Sequence, residues 1–210
     1  MNLSNLKYIG IGMLWLIHIS AFIGIKLGYD NFFLPLSPYN LLYVSLLTLL
    51  FYPIKHKSQI LMFLGISLIG FFAEVLGVAT GQIFGEYAYG NNLGLKVFEV
   101  PLIIGINWGV LSFVCAGLAQ HISLKNIYIK AIIGSLLMLT FDFFIEQSAP
   151  TFDFWAFKNS PVPIQNYLTW FILGFIFNLG VLKMNFKSDK QLCAHVYSVQ
   201  FLFFMLFYVF

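Results

Sequence analysis

Apolar residues run through this chain in long blocks separated by short polar stretches, the pattern of helices that have no wet side. A membrane-crossing helix needs about 20 such residues. Seven windows supply them: 8–26, 39–54, 59–80, 97–119, 127–147, 166–183 and 192–210, of which the second and sixth are short. Pro35, Pro38, Pro53, Pro150, Pro161 and Pro163 fall in or beside the connections, where a missing N–H disturbs a helix least. No low-complexity tract, internal repeat or soluble domain interrupts the blocks. The predicted fold is all-α: a polytopic membrane helix bundle of seven transmembrane helices, with residues 1–210 forming one integral membrane domain. The first window has no small-residue cleavage site after a short apolar core, so that span is expected to be retained.

Composition removes whole classes of function. The chain is 60% hydrophobic, 19% aromatic and 9% charged, whereas a soluble domain carries about 25% charged residues. Its net charge of +3 comes from loop lysines and gives no nucleic-acid surface. All eleven basic residues are Lys, so the planar two-pronged grip that Arg offers to phosphate is missing. Cys115 and Cys193 stand in separate apolar windows without CxxC or Cys/His spacing, which argues against a disulfide framework and against a metal site.

Charge also predicts an orientation. Lys7, Lys55, Lys57, Lys125, Lys130, Lys183, Lys187 and Lys190 fall on the side of the N-terminus, and Lys26, Lys96 and Lys158 on the other. That excess predicts a cytoplasmic N-terminus and an extracytoplasmic C-terminus. The acids run the opposite way. Only Asp189 lies on the lysine-rich side, while Asp30, Glu74, Glu86, Glu99, Asp142, Glu146 and Asp153 lie toward the outer half and mark a polar outer chamber.

Besides Glu99 at the mouth of the fourth window, three of these acids stand inside apolar windows, where hydrocarbon offers an ionised group neither water nor counter-ion and where carboxyls line functional cavities by default. In the third window Ser67, Gly70, Glu74, Gly77 and Gly81 recur at helical spacing. That stripe of small residues lets a neighbouring helix approach and turns Glu74 into protein. In the fifth, Ser135, Asp142 and Glu146 share a face, the two acids one turn apart. Two carboxyls that close cannot both ionise cheaply, so one is expected to stay protonated and able to donate. The plainer alternatives are a packing seam for Glu74 and a solvated, ordinary Glu146. Asn107, Asn178 and Gln200 need buried partners, either another helix or a ligand. His18, on a stripe with Trp15 and Phe22, reads as structural or as a proton relay. Glu99 and Pro101 open the fourth window, where an acid would cap the positive helix end. Tyr87, Tyr89, Trp108, Trp155, Phe157, Tyr167 and Trp170 gather near the outer interface. They read either as an aromatic belt or as ring faces for a cation, each worth about 0.5 to 2 kcal/mol.

Glu74, Gly77, Thr80, Gly81, Phe84, Gly85, Tyr87, Tyr89, Leu93, Gly94, Val100, Pro101 and Trp108 resemble, in order and spacing, the central block of the membrane carotenoid biosynthesis proteins, the family that includes the γ-carotene and bisanhydrobacterioruberin hydratases. Asp142 with an acid four residues on, Trp155, and then VPIQNYLTW with Pro163, Asn166 and Trp170 are similar to its second signature. The resemblance covers residues 65–172. It departs at Glu146, where Asp followed by Pro is expected and Gln147 replaces that Pro. It departs also at Ile83 for Pro, Glu99 for Gly and Phe157 for Trp.

The resemblance implies addition of water to the terminal C1=C2 double bond of an acyclic carotenoid end group, a hydro-lyase reaction without redox cofactor or metal, in the bacterial inner membrane. The expected partners are a lipophilic carotenoid, water and the bilayer, with association with other enzymes of the pathway open. Asp142 is expected to protonate C2, Glu74 to orient and deprotonate water, and Glu146 to keep Asp142 protonated, with donor and base exchangeable. Tyr87, Tyr89, Trp108, Trp155, Asn166 and Trp170 are expected to contact substrate, and Gly77, Gly81, Gly85 and Pro101 to shape backbone. Spans three and five are expected to be neighbours around a water-poor vestibule. The rivals are an end-group cyclase, which starts with the same protonation, and a proton-coupled transporter, which lacks its usual internal repeat. A retinal photoreceptor is excluded because residues 192–210 contain no Lys, and a prenyltransferase because there is one acidic pair where two aspartate-rich sites are needed.

Overall fold

A computed structural model describes residues 3–54, 56–159, 161–184 and 187–210. Seven helical spans are long and apolar enough to cross a membrane. They are α1 (Leu3–Lys26), the compound span α2 (Asp30–Phe33) with a 3-10 turn and α3 (Ser37–Phe51), then α4 (Lys57–Thr80), α5 (Leu102–Gln120), α6 (Ile127–Ser148), α7 (Ile164–Lys183) and α8 (Lys190–Val209). Lys55, used in the charge count, lies outside the described residues.

Local chemistry sets the ends. Asn126 accepts from the Tyr128 and Ile129 N–H groups at the start of α6, Asp189 does the same for Leu192 at α8, and His56 with Gln59 forms a capping box at α4. Pro101 and Pro163 precede α5 and α7, where no N–H is needed. Gly81 ends α4 at φ +67°, the left-handed conformation that glycine adopts without a Cβ penalty.

Two windows need correction. The second span begins at Asp30, not 39, because Pro35 sits in a 3-10 turn that continues the helical path. The fourth begins at Leu102, not 97. Lys96–Val97 (β2) and Val100–Pro101 (β3) pair as a hairpin whose two-residue turn, Phe98 and Glu99, has φ of 52° and 63°. Positive φ at both positions is the twist a tight hairpin demands. Glu99 is therefore an exposed turn residue and not a helix cap, and its φ accounts for the glycine usual there.

Helix α5 is the axis of the bundle, with 72% of its apolar window buried against 22–33% for the others. Its glycines make this possible. A Cβ at Gly105 would lie 2.8 Å from that of Phe71, and one at Gly70 would lie 2.5 Å from the Trp108 ring, so α4 and α5 meet backbone to backbone along the small-residue stripe. Helix α6 packs chiefly on α7, and α5 and α7 stand between α4 and α6. The acid-bearing spans three and five are thus not neighbours; they face one another across a cavity.

At the end where α4 and α6 finish, two loops join. Tyr87–Tyr89 (β1) pairs antiparallel with Trp155–Phe157 (β4), Tyr87 opposite Phe157 and Tyr89 opposite Trp155. Further bonds tie the loops: Gly90 N–H to Phe154 O at 2.8 Å, Asn91 N–H to Asp153 Oδ2 at 2.9 Å and the Asn92 amide to Phe152 O at 2.9 Å. At the opposite end Lys7 pairs with Asp189 at 2.7 Å, holding α1 to α8.

Candidate active site

Strand alternation builds the roof. In YAY and WAF the rings at the outer positions point one way and Ala88 and Ala156 the other, so Tyr87, Tyr89, Trp155 and Phe157 all face inward. They close a cavity of about 400 Å³, within the roughly 300–1,000 Å³ span of small-molecule sites. Its far side is walled by α1, α3 and α8, with His18, Asn40 and Gln200 among the lining side chains.

All three intramembrane acids line this cavity. Glu74 Oε2 accepts from the Tyr87 hydroxyl at 2.5 Å and the Tyr89 hydroxyl at 2.8 Å, and Oε1 from the Trp108 indole at 3.0 Å. Of these three partners only the Trp108 indole must donate; the two hydroxyls can donate or accept. Opposite, the Asn166 amide lies 3.0 Å from Asp142 Oδ2 and 3.2 Å from Glu146 Oε1 and so bridges the two acids of α6. Glu146 Oε2 accepts from the Trp155 indole at 2.9 Å. Asp142 Oδ1 is buried and has no partner among the described residues. The ion pairs present among those residues, Lys7 with Asp189 and Lys158 with Glu86, do not involve the three acids.

The aromatic wall is continuous with the acids. Trp108 stacks on Trp170 at 4.0 Å between centroids, Tyr89 meets Trp155 edge-on and Tyr87 leans on Phe157. Burial, with the Glu74 carboxylate beside them, pushes the Tyr87 and Tyr89 phenols up, so both stay protonated donors. The glycines explain the closeness. A Cβ at Gly77 would meet Phe84 at 2.6 Å and the Tyr87 hydroxyl at 3.1 Å, and one at Gly85, where φ is +104°, would meet Pro163 at 2.6 Å. Pro101 is buried at the α5 entry.

The structure separates other candidates. His18 is fixed between Leu14 O at 2.8 Å and the Asn40 amide at 3.3 Å, and so sits in the wall as a held, neutral ring. Asn107 and Gln200 line the cavity, whereas Asn178 bonds Gly174 O and Met138 Sδ away from it, and Ser135 bonds Phe171 O. Tyr167 is not part of the lining. Sequence reasoning missed Asn40, an amide inside an apolar window like Asn107, and it missed the pairing of the loops. The repeated aromatic-Ala-aromatic pattern at 87–89 and 155–157 was the available signal. Among the described residues, no three His, Cys, Asp or Glu side chains are placed to hold a metal ion.

A family model described as carotenoid biosynthesis protein matches residues 37–210. The chain belongs to that family. The match extends beyond residues 65–172 to α3 and α8 and leaves α1 and α2 outside. Bisanhydrobacterioruberin hydratase of Haloarcula japonica is 24% identical over 152 residues, covering 66% of this chain and 49% of that protein. The chain thus spans about half the length of this curated relative. No solved structure matches it at a significant level. With seven apolar helical spans, this family member is a multi-pass membrane protein.

Proposed function

We propose that this family member is a carotenoid hydratase that adds water to the terminal C1=C2 bond of an acyclic end group. The observation that carries the proposal is the convergence of three carboxyls, unpaired with any cation among the described residues, on one aromatic cavity where Asp142 keeps a free oxygen. Family membership and the hydratase relative support a carotenoid-modifying enzyme as the broader class.

Asp142, sharing Asn166 with Glu146, holds a proton that two facing acids cannot both release into an apolar site. It gives this proton to C2, and the double-bond electrons form the new C–H bond, leaving a tertiary cation at C1. The indole and phenol faces stabilise that cation. Water adds at C1. Glu74, whose Oε1 carries only the Trp108 hydrogen bond, takes the proton that water loses. Exchange across the cavity returns a proton to Asp142, so the sum is alkene plus water to tertiary alcohol. No redox cofactor enters this sum. The N-terminus is cytoplasmic in this proposal, the site opens toward the outer leaflet of a bacterial inner membrane, and other carotenoid-pathway enzymes supply the substrate.

Expression in a lycopene-producing host, with pigment masses read, tests the proposal. Hydration adds the mass of one water, and cyclisation adds nothing. Asp142→Asn and Glu74→Gln should abolish the hydroxylated pigment while the protein stays in the membrane; full activity in either removes the assignment.

A further inference from the structure

The acids occupy one end of the cavity, and a long polyene cannot fit there whole. Two sides of the described lining are candidate routes to them. One passes through the roof, which the β1–β4 ladder and further hydrogen bonds between the loops hold shut. The other passes sideways. The lining runs without a break from Glu74 and Asp142 to Leu16, Ser20 and Ala21 of α1 and to Leu36 at the turn between α2 and α3. There the lining residues are also surface residues: Leu16 is 64% exposed and Leu36 42%. Helix α1 is the least buried of the spans, with 22% of its apolar window covered, and it leans on α8 and on the compound second span. Beneath this stretch His18 is turned to Leu14 O and the Asn40 amide, and Gln200 to Val196 O, so that Asn40 Oδ1, buried without a partner among the described residues, is a polar point on an otherwise mostly apolar floor.

We infer that α1 and the α2–α3 turn wall a lateral slot through which a polyene enters from the lipid, and in which its unreacted length lies while the end group meets the acids. This rests on the hydratase proposal for the nature of the reacting end, and on the cavity alone for the slot. A lipid-dissolved chain reaches an opening on the side of the bundle without leaving hydrocarbon, whereas entry through the roof would take it past the polar loops. Because the family match begins at residue 37, α1 and α2 lie outside it.

Two measurements on the membrane-embedded full chain decide it. Photoreactive benzoylphenylalanine is placed at Leu16 and, as a control of equal lipid exposure on α4, at Leu61, which is 68% exposed; each is irradiated with lycopene. Capture at 16 well above that at 61 is expected, and equal capture overturns the slot whatever the enzyme does. In the second, Ala88→Cys with Ala156→Cys staples the roof across a register pair whose side chains point outward, at the cross-strand spacing of about 4.5–5.5 Å that a disulfide accepts. The stapled protein should hydrate lycopene as fast as its reduced form, while Ser20→Trp should slow hydration by about 10²-fold, as misplaced substrates do. Loss on stapling, or full activity of Ser20→Trp, overturns lateral entry. If the unmodified protein yields no hydrated pigment but capture at 16 persists, the hydratase proposal fails and the slot stands.

Discussion

Glu74 is the sharpest place to separate a structural acid from a working one, because its three donors differ in kind. Tyr87 and Tyr89 carry hydroxyls that rotate and can accept as well as donate, whereas the Trp108 indole can only donate. In Glu74→Gln the amide oxygen must face Trp108 and the NH₂ must face the phenols, which can turn to accept it. Every group then keeps a partner. The cost is the difference between charge-assisted and neutral hydrogen bonds, about 1 kcal/mol for each of three, offset by no longer burying a charge. The fold should hold. Glu74→Ala instead strands three donors in a site 4% exposed, at about 1–3 kcal/mol each, a loss of roughly 3–9 kcal/mol. Thermal unfolding in detergent should show the Gln variant near the parent protein and the Ala variant far below it. Product formation should nonetheless fall in Glu74→Gln by about 10² to 10⁴, the worth of a positioned acid or base. A Gln variant that unfolds like the Ala variant would refute the hydrogen-bond reasoning; one that is stable and fully active would show that Glu74 is only a tie for the roof.

Other outcomes follow from neighbouring contacts. Asn166→Leu removes the amide that bridges Asp142 and Glu146 and should lower activity at least tenfold, at about 1.5–3 kcal/mol for a bond to a charged group; pigment yield against protein level checks it. Gly70→Ala drives a Cβ to 2.5 Å from the Trp108 ring and should destabilise by about 1–3 kcal/mol, read as a lower melting temperature. Burial and the adjacent Glu74 carboxylate push the Tyr87 and Tyr89 phenols up, so neither should ionise near pH 10, where free tyrosine does. The tyrosinate absorbance step at that pH should be the same height in the Tyr87→Phe, Tyr89→Phe double variant, and a smaller step would contradict the burial. Trp155→Phe removes a donor from Glu146 but leaves a ring on the roof; it should retain the fold and lose part of the rate, as measured by initial hydration velocity.

Hydropathy alone determined that seven helices cross, because an apolar run of membrane length is a local property and each helix satisfies its own backbone hydrogen bonds. The acids were equally legible: a carboxyl inside such a run stands out whatever surrounds it, and the spacing of Asp142 and Glu146 put them on one face. Tertiary structure decided what they face. It set α5 and α7 between the helices of Glu74 and Asp142, so the acids oppose one another across a cavity where adjacency had been expected. It paired residues 87–89 with 155–157, making a roof of rings that composition read either as an interfacial belt or as faces for a cation, and turned Glu99 from a cap into a turn. It also brought His18, Asn40 and Gln200, from three separate spans, onto one wall. None of this is local. Helix order around a bundle and strand pairing between distant loops depend on which surfaces fit, here on glycines at 70, 77 and 105 that let rings and backbones approach, and fit is a property of two segments together.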